Sequence, residues 1–230
     1  MAYGIRIKNA DGNIIVDGVN KNFALYASGT ETLPGTAGVT AVSFTATTQI
    51  PIVAIRNAST TYYVSLWGIR KTSGSYDGFY LIKANTAAYD VDWRVYLAHP
   101  AFVAESYGLR VYDASGNAVF GSGRNYFDIF QLNAGISLSS PGLTEDAAGL
   151  YSDVSHASVS DPFYFVSPAG YWVYLSGGAR QFRAWRIGLK KIDSTNVRVG
   201  WHIIRAAALP PGYPDENGGW NPNLNLMVLK

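Results

Sequence analysis

Residues 3–16 read YGIRIKNADGNIIV, and residues 107–120 read YGLRVYDASGNAVF. In the first stretch Ile5 and Ile7 alternate with Arg6 and Lys8, the period-two pattern of a strand with one buried face. The chain then meets Asp11-Gly12-Asn13 before a second apolar run, Ile14-Ile15-Val16. Asp-Gly between such runs signals a β-hairpin, because a tight turn of that hand needs positive φ at its central residues. Ser115-Gly116-Asn117 occupies the same place in the second stretch. Both stretches are predicted to be hairpins, and the fold is expected to be built from strands.

The two stretches also match each other. Tyr3, Gly4, Arg6, Ala10, Gly12 and Asn13 meet Tyr107, Gly108, Arg110, Ala114, Gly116 and Asn117, and Phe23 falls on Phe127. Further along, YYVSLWG at 62–68 answers YWVYLSG at 171–177, and VDWRV at 91–95 answers VGWHI at 199–203. Three matches in one order, with small drifts in spacing, indicate a duplicated unit whose loops differ in length. Residues 1–104 and 105–209 therefore read as two tandem domains, with a C-terminal arm at 210–230.

Between the anchors, strand signals recur. Val42, Phe44 and Ala46 alternate with polar neighbours. Residues 52–55 form a short apolar run behind Pro51, whose counterpart is Pro162. Tyr62, Val64 and Leu66 share one strand face, and Tyr63, Ser65 and Trp67 the other. Gly, Ser, Asn and Asp clusters separate the runs, and a 3.6-residue apolar period is absent save for one possible helical turn at 143–151. The expected class is all-β: two homologous antiparallel β-sandwich (jelly-roll-like) domains plus a Pro/Gly-rich arm. In the arm, Leu224, Leu226 and Val228 alternate like one last strand. That strand could close the chain's own second domain or add itself to a neighbour's sheet edge.

Composition narrows the function classes. Of 230 residues, 48% are hydrophobic and only 15% charged, which supports a core and argues against disorder. Net charge is +2, too small for a global field toward nucleic acid or anionic lipid. The absence of cysteine removes disulfides, thiolate metal sites and a thiol nucleophile together. No export signal is expected after Met1, and no apolar run approaches the ~20 residues that cross a bilayer.

Catalytic signals are missing. His99, His156 and His202 stand in no metal-binding spacing, and no nucleophile elbow or phosphate loop occurs. No enzyme activity, metal or cofactor is expected. The candidate ligand or interface surface is aromatic and basic: Trp67, Tyr76, Trp172, Arg180, Arg183, Arg186, Tyr213 and Trp220. Exposed aromatics on a sandwich can stack sugar rings, whereas most aromatics in such a fold serve the core. The Arg180–Lys191 region mixes cations with Phe182 and Trp185, a composition that suits single-stranded nucleic acid. Strand alternation explains it more simply as a solvated face, so nucleic acid is disfavoured.

The opening residues Met1, Tyr3, Gly4, Ile5, Ile7, Asn9, Gly12 and Asp17 resemble those of tailed-bacteriophage proteins that begin M-x-Y-G-[LI]-x-[IV]-x-N-x-x-G followed by Asp. The second copy keeps the pattern from Tyr107 to Gly116, with Gly121 in place of the Asp. The resemblance implies a small β-protein of the distal tail, at its tip or on a fibre, made in the host cytoplasm and kept in the virion. It implies assembly with other tail proteins and with itself, a trimer among the options, and adhesion to a host-surface glycan or protein receptor. A carbohydrate-binding module or lectin-like adhesin is the alternative.

Overall fold

In the computed structural model of the chain the residues described are 6–8, 14–17, 23–98, 109–113, 115–116, 118–122, 125–126, 129–138, 151–156, 159, 162–167, 171–176, 181–208, 218–220 and 224–229. Every regular element among them is a strand. The first half supplies β1 (Arg6–Lys8), β2 (Ile14–Asp17), β3 (Ala24–Leu33), β4 (Gly38–Thr47), β5 (Ile52–Asn57), β6 (Ser65–Thr72), β7 (Ser75–Lys83) and β8 (Tyr89–Leu97). The second half supplies β9 (Arg110–Tyr112), β10 (Ala118–Gly121), β11 (Ile129–Ile136), β12 (Tyr151–Ser155), β13 (Phe163–Ser167), β14 (Tyr171–Ser176), β15 (Gln181–Lys191) and β16 (Asn196–Ala208), with β17 (Gly218–Trp220) and β18 (Leu224–Leu229) from the arm. The helical turn expected at 143–151 falls almost wholly outside the described residues.

The two hairpins read from the sequence are present, as β1–β2 and β9–β10, each a two-stranded sheet whose strands, among the described residues, pair only with one another. Gly116 takes a φ of 82°, the conformation its place in the turn requires. A third tight turn, Ser73-Gly74, joins β6 to β7 with φ of 49° and 89°.

The main body is a sandwich. One layer is a six-stranded antiparallel sheet in the order β11-β18-β13-β5-β8-β3. The other combines β4-β7-β6 with β12-β16-β15-β14-β17. Val64, just before β6, exchanges both backbone hydrogen bonds with Leu189 of β15, at 3.1 and 2.9 Å, which links these two sheets. The six-stranded sheet takes three strands from each half, and β5 meets β13 at Ile55 and Tyr164.

The strand order repeats. Exchanging β3, β5 and β8 with β11, β13 and β18 leaves the six-stranded order unchanged when read from its other end. The same exchange of β4, β6 and β7 with β12, β15 and β16 reproduces the opposite layer, leaving β14 and β17 as additions. Equivalent strands meet antiparallel, β5 on β13 and the entry to β6 on β15, as an approximate two-fold axis through the sheets demands. Pro51 and Pro162 stand immediately before the equivalent strands β5 and β13, where a missing N–H costs no ladder bond.

The two later sequence matches do not follow this correspondence. Residues 91–95 lie in β8 of the six-stranded sheet, whereas 199–203 lie in β16 of the opposite layer. Of residues 171–177, Tyr171–Ser176 form the added strand β14, not the equivalent of β6. The reason is physical: any sandwich strand that buries a Trp between branched residues has this look, so a five-residue likeness identifies a role rather than a place.

Inward residues of both layers meet in one apolar core. Val53, Ile55, Val91, Trp93 and Val95 come from the first half's side of the six-stranded sheet, Leu224, Leu226 and Val228 from the arm, and Phe79, Leu81, Val199 and Trp201 from the opposite layer. Trp93 sets its ring edge-on to Phe79 at 5.7 Å and lies so close over Gly29 that a Cβ there would stand 2.7 Å from the indole. The arm's last strand is therefore interior: β18 is bonded on both sides, to β11 and β13, within the chain's own sheet.

Candidate functional site

The surface residues expected to form a site do not converge. Trp67 is the extra residue of a β-bulge, placed between the Leu66–Leu81 and Gly68–Tyr80 pairs of β6 and β7. A bulge re-aims its side chain, and Trp67 is 42% exposed. Tyr76 lies further along the same hairpin, half-buried beneath the Lys71 ammonium, which stands 5.1 Å from the ring centre. Trp172, Arg183 and Arg186 lie on β14 and β15, and Trp220 on β17; only their backbones are described. In backbone register Trp220, Tyr171, Arg186 and His202 form one row across four strands. Arg180 and Tyr213 lie outside the described residues, as does His99.

What the halves bring together instead is a seam of buried polar groups where β6 meets β15. Alternation sets Ser65 opposite Gly188, on the face away from the core. Gly188 leaves a gap there, and His202 from the neighbouring strand β16 fills it: a Cβ on Gly188 would stand 2.8 Å from His202 Nε2 and 2.8 Å from the Val64 carbonyl. Ser65 Oγ lies 2.5 Å from His202 Nε2 and 2.7 Å from the Ile187 carbonyl oxygen. Tyr63 stacks on the imidazole at 5.5 Å, and the Lys190 ammonium sits 4.7 Å over the Tyr63 ring. All four side chains are buried.

A close Ser–His pair invites a nucleophilic reading, and the hydrogen-bond count rejects it. The serine hydroxyl has one proton, and the Ile187 carbonyl can only accept it. With both bonds formed, His202 Nε2–H must donate to Ser65 Oγ. A general base needs the reverse polarity, an imidazole nitrogen accepting the serine proton. The pair is a structural clasp between strands of different halves.

Neighbouring groups extend the seam. Asn57, whose place in Asn-Ala-Ser resembles a glycosylation acceptor, is buried; its amide donates to the carbonyls of Tyr62 and Leu189 at 2.7 and 2.9 Å. Arg198 forms a two-toothed pair with Asp153 of β12, at 2.6 and 2.8 Å, and lies 3.6 Å over the Tyr151 ring. The Asp153 partnership raises the Arg198 pKa further. On the other layer Arg56 donates twice to Asp92, and Arg56 and Arg94 both stand over Phe163. Burial alone would raise Asp92, but hydrogen bonds from Thr30 and Arg56 outweigh it and hold the carboxyl below its usual range.

Among the described residues Lys83 and His156 are buried ionisable groups whose pKa burial lowers. Lys83 reaches the Ala87 carbonyl and lies 4.9 Å over the Tyr89 ring; burial lowers its pKa. His156 is 0% exposed, holds the Tyr164 hydroxyl at 2.6 Å through Nε2, and leaves Nδ1 without a hydrogen-bond partner. Burial lowers its pKa below the ordinary 6.5. Unfolded chain therefore binds a proton that folded chain refuses, and stability is lost as pH falls through about 6.5. The urea midpoint is expected to drop between pH 7.5 and 5.5, and His156→Phe to flatten that slope; a slope equally steep in the variant contradicts this role.

A cavity of about 40 Å³ lies between the layers at the approximate two-fold axis, lined by Val53 and Ile55 with their equivalents Tyr164 and Val166, and by Val64 and Leu66 with Ile187 and Leu189. It has room for a water or a methyl group, not for a substrate. Among the described residues no group of three or more His, Cys, Asp or Glu could hold a metal ion.

Sequence reasoning missed the seam. Ser65 and His202 are far apart in the chain, and no local pattern couples them. The one available signal was Gly188 inside a strand pattern, which marks a close approach by something else. No family model, curated protein or solved structure matches the chain.

Proposed function

We propose that the chain is a structural protein of a tailed-phage virion, placed at the distal tail, tip or fibre, and acting in assembly and host-surface adhesion. The observation that carries this reading is the opening segment from Tyr3 to Gly12, which resembles that of tail proteins and returns from Tyr107 to Gly116. Both copies are hairpins that form small sheets of their own beside the sandwich. That form suits a docking element, since among the described residues its edges pair with no strand of the sandwich. The reading assigns no catalysis and no cofactor. Its partners are other tail proteins, copies of the chain itself, and a glycan or protein receptor on the host surface.

The test is mass spectrometry of purified particles grown from the genome that encodes the chain. The chain is expected among the tail proteins at a fixed copy number. Particles free of it, from lysates in which it is abundant, contradict the reading. Trp67 favours one second reading, a sugar-binding module, because a bulge presents this indole to solvent. Glycan binding by a monomer, lost in Trp67→Ala, is the result that would select it.

A further inference from the structure

We infer that β4 is a self-association edge, pairing antiparallel with β4 of a second copy so that the β4-β7-β6 sheet continues from one molecule into the next. The inference deepens the assembly reading and rests on it for the choice of another copy as partner.

An open strand edge is a template for pairing, and proteins normally blunt it with charge, shortness or bulges. Apart from the two small hairpin sheets, the described edges of this molecule are blunted, with one exception. β12 has five residues and carries Asp153, held by Arg198. β17 has three residues. β3 carries Glu31 and a bulge between Leu25 and Ala27. β11 is broken by two irregularities, and Gly135 within it takes a φ of 71°. β6 carries Lys71 and the Trp67 bulge, while its Arg70 reaches across β7 to Asp77 and to Ser43 of β4.

β4 is different. It is 10 residues long, GVTAVSFTAT, and no charged residue stands anywhere between Glu31 and Arg56. Its register with β7 is unbroken over residues 38–43, and the one irregularity lies beyond Ser43. Its equivalent in the other half, β12, is the short, charged edge just described. Among the described residues Gly38–Ser43 of β4 pair only with β7, with Tyr26 Oη on the Thr45 carbonyl and Arg70 on Ser43 Oγ beyond them, whereas the counterpart β12 is short and charged.

Two observations select a second copy as the occupant. First, the chain already joins its own halves by antiparallel contact between equivalent strands, β5 with β13 and the β6 entry with β15. Second, two of the most exposed large apolar residues stand at opposite ends of this strand: Val39 near its start, 53% exposed, and Ile50 just past its end, 71% exposed. Antiparallel self-pairing brings the Val39 end of one copy beside the Ile50 end of the other, and parallel pairing does not. A strand with no charge also sets no like charges opposite each other across a two-fold axis.

The experiment is sedimentation velocity over a range of concentrations on the full chain and on Val39→Lys/Ala41→Lys. Both side chains are exposed, so the substitutions spare the core, and thermal melts confirm that the variant is folded. The full chain is expected to dimerise or to associate further through dimers, and the variant to associate roughly tenfold more weakly or worse. Cysteines at Val39 and Ile50, in a chain that has none, give an independent reading: oxidation is expected to link position 39 of one copy to position 50 of the other. An oligomer unmoved by the lysines and not cross-linked between positions 39 and 50 overturns the β4 interface while leaving the assembly reading intact. A chain that is monomeric at every concentration overturns the interface, and detection of the chain in particles then decides the assembly reading separately.

Discussion

Ending the chain at Leu209 is expected to unfold the sandwich rather than trim an arm. The deletion removes β18, an interior strand, and with it Leu224, Leu226, Val228 and Leu229, each 0% exposed. Burying such a side chain contributes about 1.5–3 kcal/mol. Four of them amount to roughly 6–12 kcal/mol, comparable to the whole stability of an ordinary domain, ~5–15 kcal/mol. The area argument gives an upper bound, because unfolded chains already bury some surface. The lost ladder bonds act in the same direction and leave the edges of β11 and β13 bare. Insoluble or molten material on expression, with collapsed near-ultraviolet dichroism, is the expected result. A soluble, cooperatively folding fragment contradicts the interior placement of β18 and returns the strand to a neighbour's sheet.

Trp201 carries the second large effect. It is 0% exposed at the centre of the core, and its indole Nε1 has no hydrogen-bond partner. Trp201→Ala is expected to cost about 3–5 kcal/mol, through lost transfer energy and the cavity left behind. Trp201→Phe is expected to cost far less, because it keeps an aromatic ring and also deletes an orphaned donor whose burial costs about 1–3 kcal/mol. Urea denaturation of the three proteins measures both. A Phe variant as damaged as the Ala variant shows that Nε1 is satisfied, for instance by a buried water.

The sequence made one class of feature legible and hid another. Turns and alternation are local, so the hairpins at Asp11-Gly12 and Ser115-Gly116 and the all-β class followed from the letters. The two faces of residues 62–67 were also legible, with Val64 turned to the core and Ser65 away from it. Burial of the outward face was not. Tyr63, Ser65, Lys190 and His202 lie on the side of the sheet that alternation gives to solvent, and their burial depends on a strand contributed by the other half. Sheet order is likewise a long-range property: that Pro51 and Pro162 mark equivalent strands could be guessed, but not that those strands touch. For Trp67 the alternation pointed to an outer face, and the bulge at which it stands required the partner strand's register.

The central structural claim is that the two halves share one core across the β5–β13 and β6–β15 contacts. Differential scanning calorimetry of the full chain, beside separately expressed 1–104 and 105–230, tests it most directly. One transition is expected for the full chain, with calorimetric and van't Hoff enthalpies equal, and no comparable transition in either piece alone. Two transitions that match those of the separate pieces would contradict a shared core and make the halves independent domains.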